Sequence, residues 1–172
     1  MKVWIVTGDK NGGKTSMLYA LCSRLDSEGY TLAGVIQVAT LPNKEKTEWV
    51  LSDQGSGEIR FLMGIKQQEN LRKFGRFFID DSAFQWADEK IMAKVASADY
   101  ITIDEVGPLE LEGGGFDKTI KKLLALRDKT LILVIRSALL EAVLKHYNID
   151  ILQTVIYHAN RNWDEQLENI PF

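Results

Sequence analysis

The chain has 172 residues, 45% of them hydrophobic, with a net charge of -3 and a pI near 5.5; this suits one globular domain with a sizeable core and argues against a constitutive nucleic-acid binder, since no basic stripe with interleaved aromatics occurs. The apolar start, Val3–Val6, gives way at once to Thr7, Gly8 and Asp9, so it is too short for a signal peptide or a membrane span. The single cysteine, Cys22, precludes an internal disulfide and fits a cytoplasmic, reducing compartment.

In chain order, Val3–Val6 reads as a strand covered on both faces. From Thr15 onward Met17, Leu18, Leu21, Cys22 and Leu25 recur at helical spacing, with Gly29 as a stop, so Cys22 reads as a core residue. Between strand and helix, Gly8-Asp9-Lys10-Asn11-Gly12-Gly13-Lys14-Thr15 fits the phosphate-loop pattern G-x-x-x-x-G-K-[ST] without a mismatch. Glycines let the backbone curl so that successive N–H groups point inward, and the helix N-terminus adds its partial positive charge. Gly8 to Thr15, with Ser16 after them, are therefore candidate nucleotide-binding residues. Lys14 can reach the β- and γ-phosphates and carries a catalytic assignment, and the Thr15 hydroxyl suits a Mg²⁺ ligand.

Leu32–Thr40 reads as a second strand, followed by a turn at Pro42-Asn43-Lys44. Glu48–Leu51 and Glu58–Leu62 read as short strands of an antiparallel hairpin added to the sheet, and Arg76–Ile79 as another strand. Ser82 and Gln85 have capping-box spacing and open a helix to about Ala96. Tyr100–Ile103 is a strand, Phe116–Leu126 a helix, Thr130–Ile135 a buried strand and Ser137 to about His146 a helix. Ile151–Tyr157 closes the sheet, and Asn162 caps a last short helix. Strands alternating with helices imply a mostly parallel sheet with helices on both faces, in one α/β domain spanning residues 1–172.

Ile101-Thr102-Ile103 leads into Asp104 and Glu105, two acids at the C-terminal end of a strand, where open α/β sheets bind ligands. Asp104 is suited to holding Mg²⁺ as the Walker-B acid, and Glu105 to orienting or deprotonating an attacking water. Glu110 either orders the following loop or faces that water itself. Arg136, directly after a buried strand, projects toward the same edge. Gly113-Gly114-Gly115 reads as a flexible loop, and Trp4, Trp49, Trp86 and Trp163 as packing residues. His146 and His158 have no Cys or His partners at metal-ligand spacing.

The phosphate loop, the run Asp104-Glu105-Val106-Gly107-Pro108-Leu109-Glu110-Leu111, the segment Gly75-Arg76-Phe77 and the triplet Asn160-Arg161-Asn162 together resemble the small P-loop nucleoside triphosphatases of the cancer-related and thermophilic types. The resemblance spans nearly the whole chain. It implies a three-layer, RecA-like P-loop fold and slow Mg²⁺-dependent hydrolysis of several nucleoside triphosphates, ATP and GTP among them. It also carries Arg161 over as a nucleotide-binding residue, stacking on a base or reaching the phosphates. Two departures stand out: Asp9-Lys10-Asn11-Gly12 replaces a Pro-Gly-containing segment, and no threonine–glutamate pair follows Gly34. Two other readings use the same nucleotide site: a nucleotide-dependent switch or binding module, and a phosphotransferase acting on a small acceptor. The reading requires neither a membrane nor nucleic acid, and names no protein partner.

Overall fold

The computed structural model describes residues 1–40, 46–160 and 162–171. In chain order its elements are β1 (Lys2–Gly8), α1 (Lys14–Ser27), β2 (Leu32–Thr40), β3 (Glu48–Asp53), β4 (Ile59–Gly64), β5 (Arg72–Phe74) and β6 (Phe77–Ile79). Then come α2 (Ser82–Lys94), β7 (Tyr100–Val106), α3 (Pro108–Leu111), α4 (Asp117–Leu124), β8 (Thr130–Arg136), α5 (Leu140–His146), β9 (Thr154–His158) and α6 (Trp163–Glu168). The turn expected at Pro42-Asn43-Lys44 lies outside the described residues.

The strands form one mixed sheet in the order β5-β6-β4-β3-β2-β7-β8-β1-β9. From β2 to β9 every pairing is parallel, and the continuous apolar runs of β1 and β8 lie among these inner strands, as strands buried on both faces must. The other half, β3 to β6, pairs antiparallel. It is larger than the expected hairpin because Arg72–Phe74 pairs with Phe77–Ile79 across a turn at Gly75. The strand expected at Arg76–Ile79 forms as β6, whereas Arg72–Phe74 is too short and too polar to announce itself in sequence.

Helices cover both faces. Val3 and Ile5 of β1 point into a core shared with Ala83, Ala87 and Ile91 of α2, Ile120 of α4 and Val143 of α5. Their neighbours Trp4 and Val6 point the other way, onto Met17, Leu21 and Leu25 of α1. Each fully buried aliphatic side chain contributes about 1.5–3 kcal/mol relative to exposure. The β2–β7 seam needs a glycine. Gly34 has φ of +126°, and a Cβ there would collide with the backbone oxygen of its partner Thr102.

Several boundaries moved. Asp80 accepts from the Ser82 N–H and hydroxyl at 2.9 and 2.6 Å, while Gln85 turns along the helix to Glu89, so the expected capping box does not form. Ile151–Gln153 is a 3-10 turn pinned by Asp150, and β9 starts only at Thr154. Asn162 sits at the head of α6, but its side chain makes no capping bond. No helix among the described residues is long and apolar enough to cross a membrane.

Candidate functional site

β1 ends at Gly8, and the chain turns through Asp9–Gly13 before α1 begins at Lys14. Asn11 and Gly13 both take left-handed backbone, φ +60° and +80°, which drives the tight curl. Gly12 donates its N–H to the Asp9 carbonyl at 3.0 Å. A Cβ on Gly8 would press on Ala159 and on the Lys14 stem, and one on Gly13 on the Trp163 ring. The glycines thus let the lysine fold back over its own loop. The first N–H groups of α1 have no intrahelical partner, and no acidic residue occupies the first turn. That leaves the helix N-terminus suited to an anion.

Lys14 is buried. Its Nζ donates to the Asp9 carbonyl at 3.0 Å and lies 3.8 Å from Glu105 Oε1. The Thr15 hydroxyl donates to Asp104 Oδ2 at 3.1 Å, and the Gln37 N–H donates to the same oxygen at 3.1 Å. Asp104 Oδ1 is buried with no hydrogen-bond partner among the described residues. Burial first, and then the neighbouring Glu105 carboxylate, push the Asp104 carboxyl up to about 7. Asp104 lies on β7, one strand removed from β1 with β8 between them. Spacing in the sequence had brought these residues together by motif alone; the sheet order does so in space.

Glu105 owes its direction to backbone. It has φ of +60°, and the β7–β8 register slips between Ile103 and Val106. Such a bulge re-aims a side chain at a strand end. Its carboxylate is held between Lys14 and Arg136, the latter at 3.3 Å. Glu110 has a different environment: it is buried, and its two oxygens accept from the Gly107 N–H at 2.8 Å and the Phe116 N–H at 3.1 Å. Burial pushes its carboxyl up, and these N–H groups pull against that. Gly115 has no room for a Cβ beside Glu110 Oε1. Of the two roles read for Glu110, ordering the loop is the one its contacts serve. The glycine run reads accordingly as a close wrap around this carboxylate.

An open cleft of about 500 Å³ gathers Lys10, Asn11, Lys14, Thr15, Glu105 and Arg136. Ser16 is exposed on α1 and does not line it, and Asp9 turns its carboxylate to the Ser137 hydroxyl at 2.7 Å. Arg161 lies outside the described residues. The cleft also contains side chains that sequence reading did not assign to it: Gln37, Lys46, Trp49 and, from the β5–β6 turn, Arg76. Lys46 donates to Asn11 at 3.3 Å. Two tryptophans read as packing residues touch the site, since Trp49 lines the cleft and Trp163 packs on Gly13. Cys22 is a buried core residue whose thiol burial pushes up to about 11, far from nucleophilic.

A family model described as NTPase matches residues 3–170. Nucleoside-triphosphatase THEP1 of Methanothermobacter thermautotrophicus is 27% identical over 150 residues, covering 87% of this chain and 84% of that protein. Its namesake from Caldivirga maquilingensis is 24% identical over 157 residues, covering 91% and 87%. Two solved structures share the α/β fold: a human cancer-related nucleoside triphosphatase (TM-score 0.73, 16% identity, 98% of this chain and 95% of the other) and THEP1 from Aquifex aeolicus (TM-score 0.73, 17% identity, 97% and 95%).

Proposed function

The chain belongs to the NTPase family, and from that premise we propose that residues 1–172 act as a single RecA-like, three-layer P-loop domain that hydrolyses nucleoside 5'-triphosphates to the diphosphate and phosphate. The curated relatives are named nucleoside-triphosphatases, and a single buried, free cysteine suits a cytoplasmic enzyme. The observation that carries the reading is the meeting of Lys14, Thr15, Asp104 and Glu105 at one edge of the sheet.

The donor set fits Mg²⁺. Thr15 Oγ1 and Asp104 Oδ1 are hard oxygen donors, and Asp104 is a carboxylate made costly by burial that pairs with no cation among the described residues. When bound, Mg²⁺ offsets charge on the β- and γ-phosphate oxygens. The chain's own residues supply the rest. The loop N–H groups cradle the phosphates, and Lys14 exchanges the Asp9 carbonyl for them. Glu105 accepts the proton of the attacking water, while Arg136 keeps that carboxylate at the cleft mouth and is placed to meet charge developing on the γ-phosphate. The remaining loop residues, Gly8 to Gly13, and Ser16 contribute backbone, and Arg161 is proposed to contact the nucleotide.

The test is a turnover panel over the four common nucleoside triphosphates, with and without Mg²⁺, in wild type and Lys14→Ala. Phosphate release that needs the metal and disappears in Lys14→Ala is the expected result. Near-normal release by the variant would overturn the reading.

A further inference from the structure

A second cavity, of about 110 Å³, adjoins the cleft and shares Gln37, Glu105 and Arg136 with it. Most of its lining is apolar, including Leu62 of β4, Phe84 of α2, Leu109 of α3 and Phe116 ahead of α4. Phe84 and Phe116 meet edge to face at 4.9 Å, leaving ring surface toward the space. Hydrolysis needs room beside Glu105 for one water, roughly 10–15 Å³ on this measure. The space is several times larger, and the side chains of Leu62, Phe84, Leu109 and Phe116 offer water no hydrogen bonds. A leucine- and phenylalanine-lined cavity of about 150 Å³ holds a benzene ring; this space is smaller, about 110 Å³, but continuous with the cleft, so it takes at most one ring whose polar end lies in the cleft.

We propose that this cavity binds a small one-ring molecule carrying a hydroxyl group and presents that hydroxyl to Glu105 as an acceptor for the γ-phosphoryl group. The inference rests on the nucleoside-triphosphatase reading and extends it to transfer. The acceptor oxygen forms a bond to the γ-phosphorus as the bond from that phosphorus to the β–γ bridging oxygen breaks. The electron pair of the broken bond stays with the departing diphosphate, and the hydroxyl proton passes to the Glu105 carboxylate. A phosphate monoester and a nucleoside diphosphate result, with no change in oxidation state. Water reacts by the same route when the cavity is empty, so hydrolysis and transfer compete at one carboxylate.

The experiment offers benzyl alcohol, phenol and cyclohexylmethanol at millimolar concentration with γ-labelled ATP and Mg²⁺, and measures the partition of label between ester and inorganic phosphate. Ligand-observed NMR on nucleotide-free protein reads binding of the same three compounds. Leu109→Trp fills the cavity from α3, and Leu62→Phe fills it from β4 should the first variant fail to fold. Binding and ester formation with at least one compound are expected in wild type. Both should fall at least tenfold in a filled variant, with acceptor-free phosphate release within twofold of wild type. Absence of binding by all three, ester formation unchanged by filling, or binding that yields no ester would each overturn the proposal. Absence of Lys14-dependent phosphate release without any alcohol would instead sink the hydrolase reading, so the two failures are separable.

Discussion

Glu105 and Glu110 share one short run of sequence, yet every contact distinguishes them. Glu105 stands at the cleft between two cations, whereas Glu110 spends both oxygens on backbone N–H groups. Glu105→Gln is expected to keep nucleotide affinity and lower the catalytic rate by roughly 10²–10⁴-fold, because the amide cannot take the proton. Equilibrium binding and single-turnover kinetics on the same variant check it, and a wild-type rate would remove Glu105 from the chemistry. Glu110→Gln should act on folding instead. Its amide NH₂ would face a backbone N–H, leaving a buried donor unpaired at about 1–3 kcal/mol. At roughly 2–4 °C per kcal/mol for a chain of this size, a thermal melt resolves that loss. Asp104→Asn should shift the Mg²⁺ concentration needed for half-maximal turnover upward, since the metal loses its charged ligand, and a metal titration reads this directly.

At the scale of elements, the β2–β7 seam is the sharpest constraint. Gly34→Ala combines left-handed backbone with a side chain driven into the Thr102 backbone, which has no freedom to retreat. The expected cost is about 3 kcal/mol or more, seen as a lowered denaturation midpoint, and an unchanged midpoint would mean the seam re-registers. The same contrast between local and distant causes governs what was legible in the sequence. Leu32–Thr40 could be read to the residue because a mostly apolar run rich in Val and Ile needs only its own chain to declare it. The loop from Gly8 to Thr15 was legible because its chemistry is contiguous, and Asp104-Glu105 because an acid pair followed an apolar strand. By contrast, α3 is one turn opened by a proline and held by Glu110, and β5 exists only by pairing with β6. Gln37 meets Asp104 through parallel register, and Arg76 reaches the cleft on a turn. Nothing in the local pattern of either residue encodes that meeting. The left-handed backbone of Glu105 is likewise set by the slip against β8, not by any residue preference.

Across the whole molecule, buried or half-buried aspartates tie separate elements together. Asp53 meets Lys94 across β3 and α2 at 3.2 Å, Asp88 meets Lys122 across α2 and α4 at 2.8 Å, and Asp117 meets His146 across α4 and α5 at 2.9 Å. Burial pushes each carboxyl up, but the hydrogen bonds outweigh it: Ser56 and Lys94 on Asp53, Lys122 and Thr119 on Asp88, Lys121 and His146 on Asp117. All three end below the ordinary value. A carboxyl whose pKa is lower folded than unfolded adds stability that is present above the unfolded value of about 3.9 and is lost as pH falls through the folded one. Melting temperature should therefore drop steeply below about pH 4, and the double variant Asp88→Asn, Asp117→Asn should show a shallower acid limb. Superimposable limbs would mean these ties carry nothing. The antiparallel half of the sheet has a further consequence. It is written as one uninterrupted stretch, residues 48–79, between β2 and α2, and it supplies Leu62, Met63, Phe74, Phe77 and Ile79 around the smaller cavity. Lys14, Thr15, Asp104 and Glu105 all come from outside it. One wall of that cavity is thus carried on a segment separate from the reactive residues, so drift or grafting within 48–79 can reshape that wall while every residue at the loop and the β7 edge stays as it is.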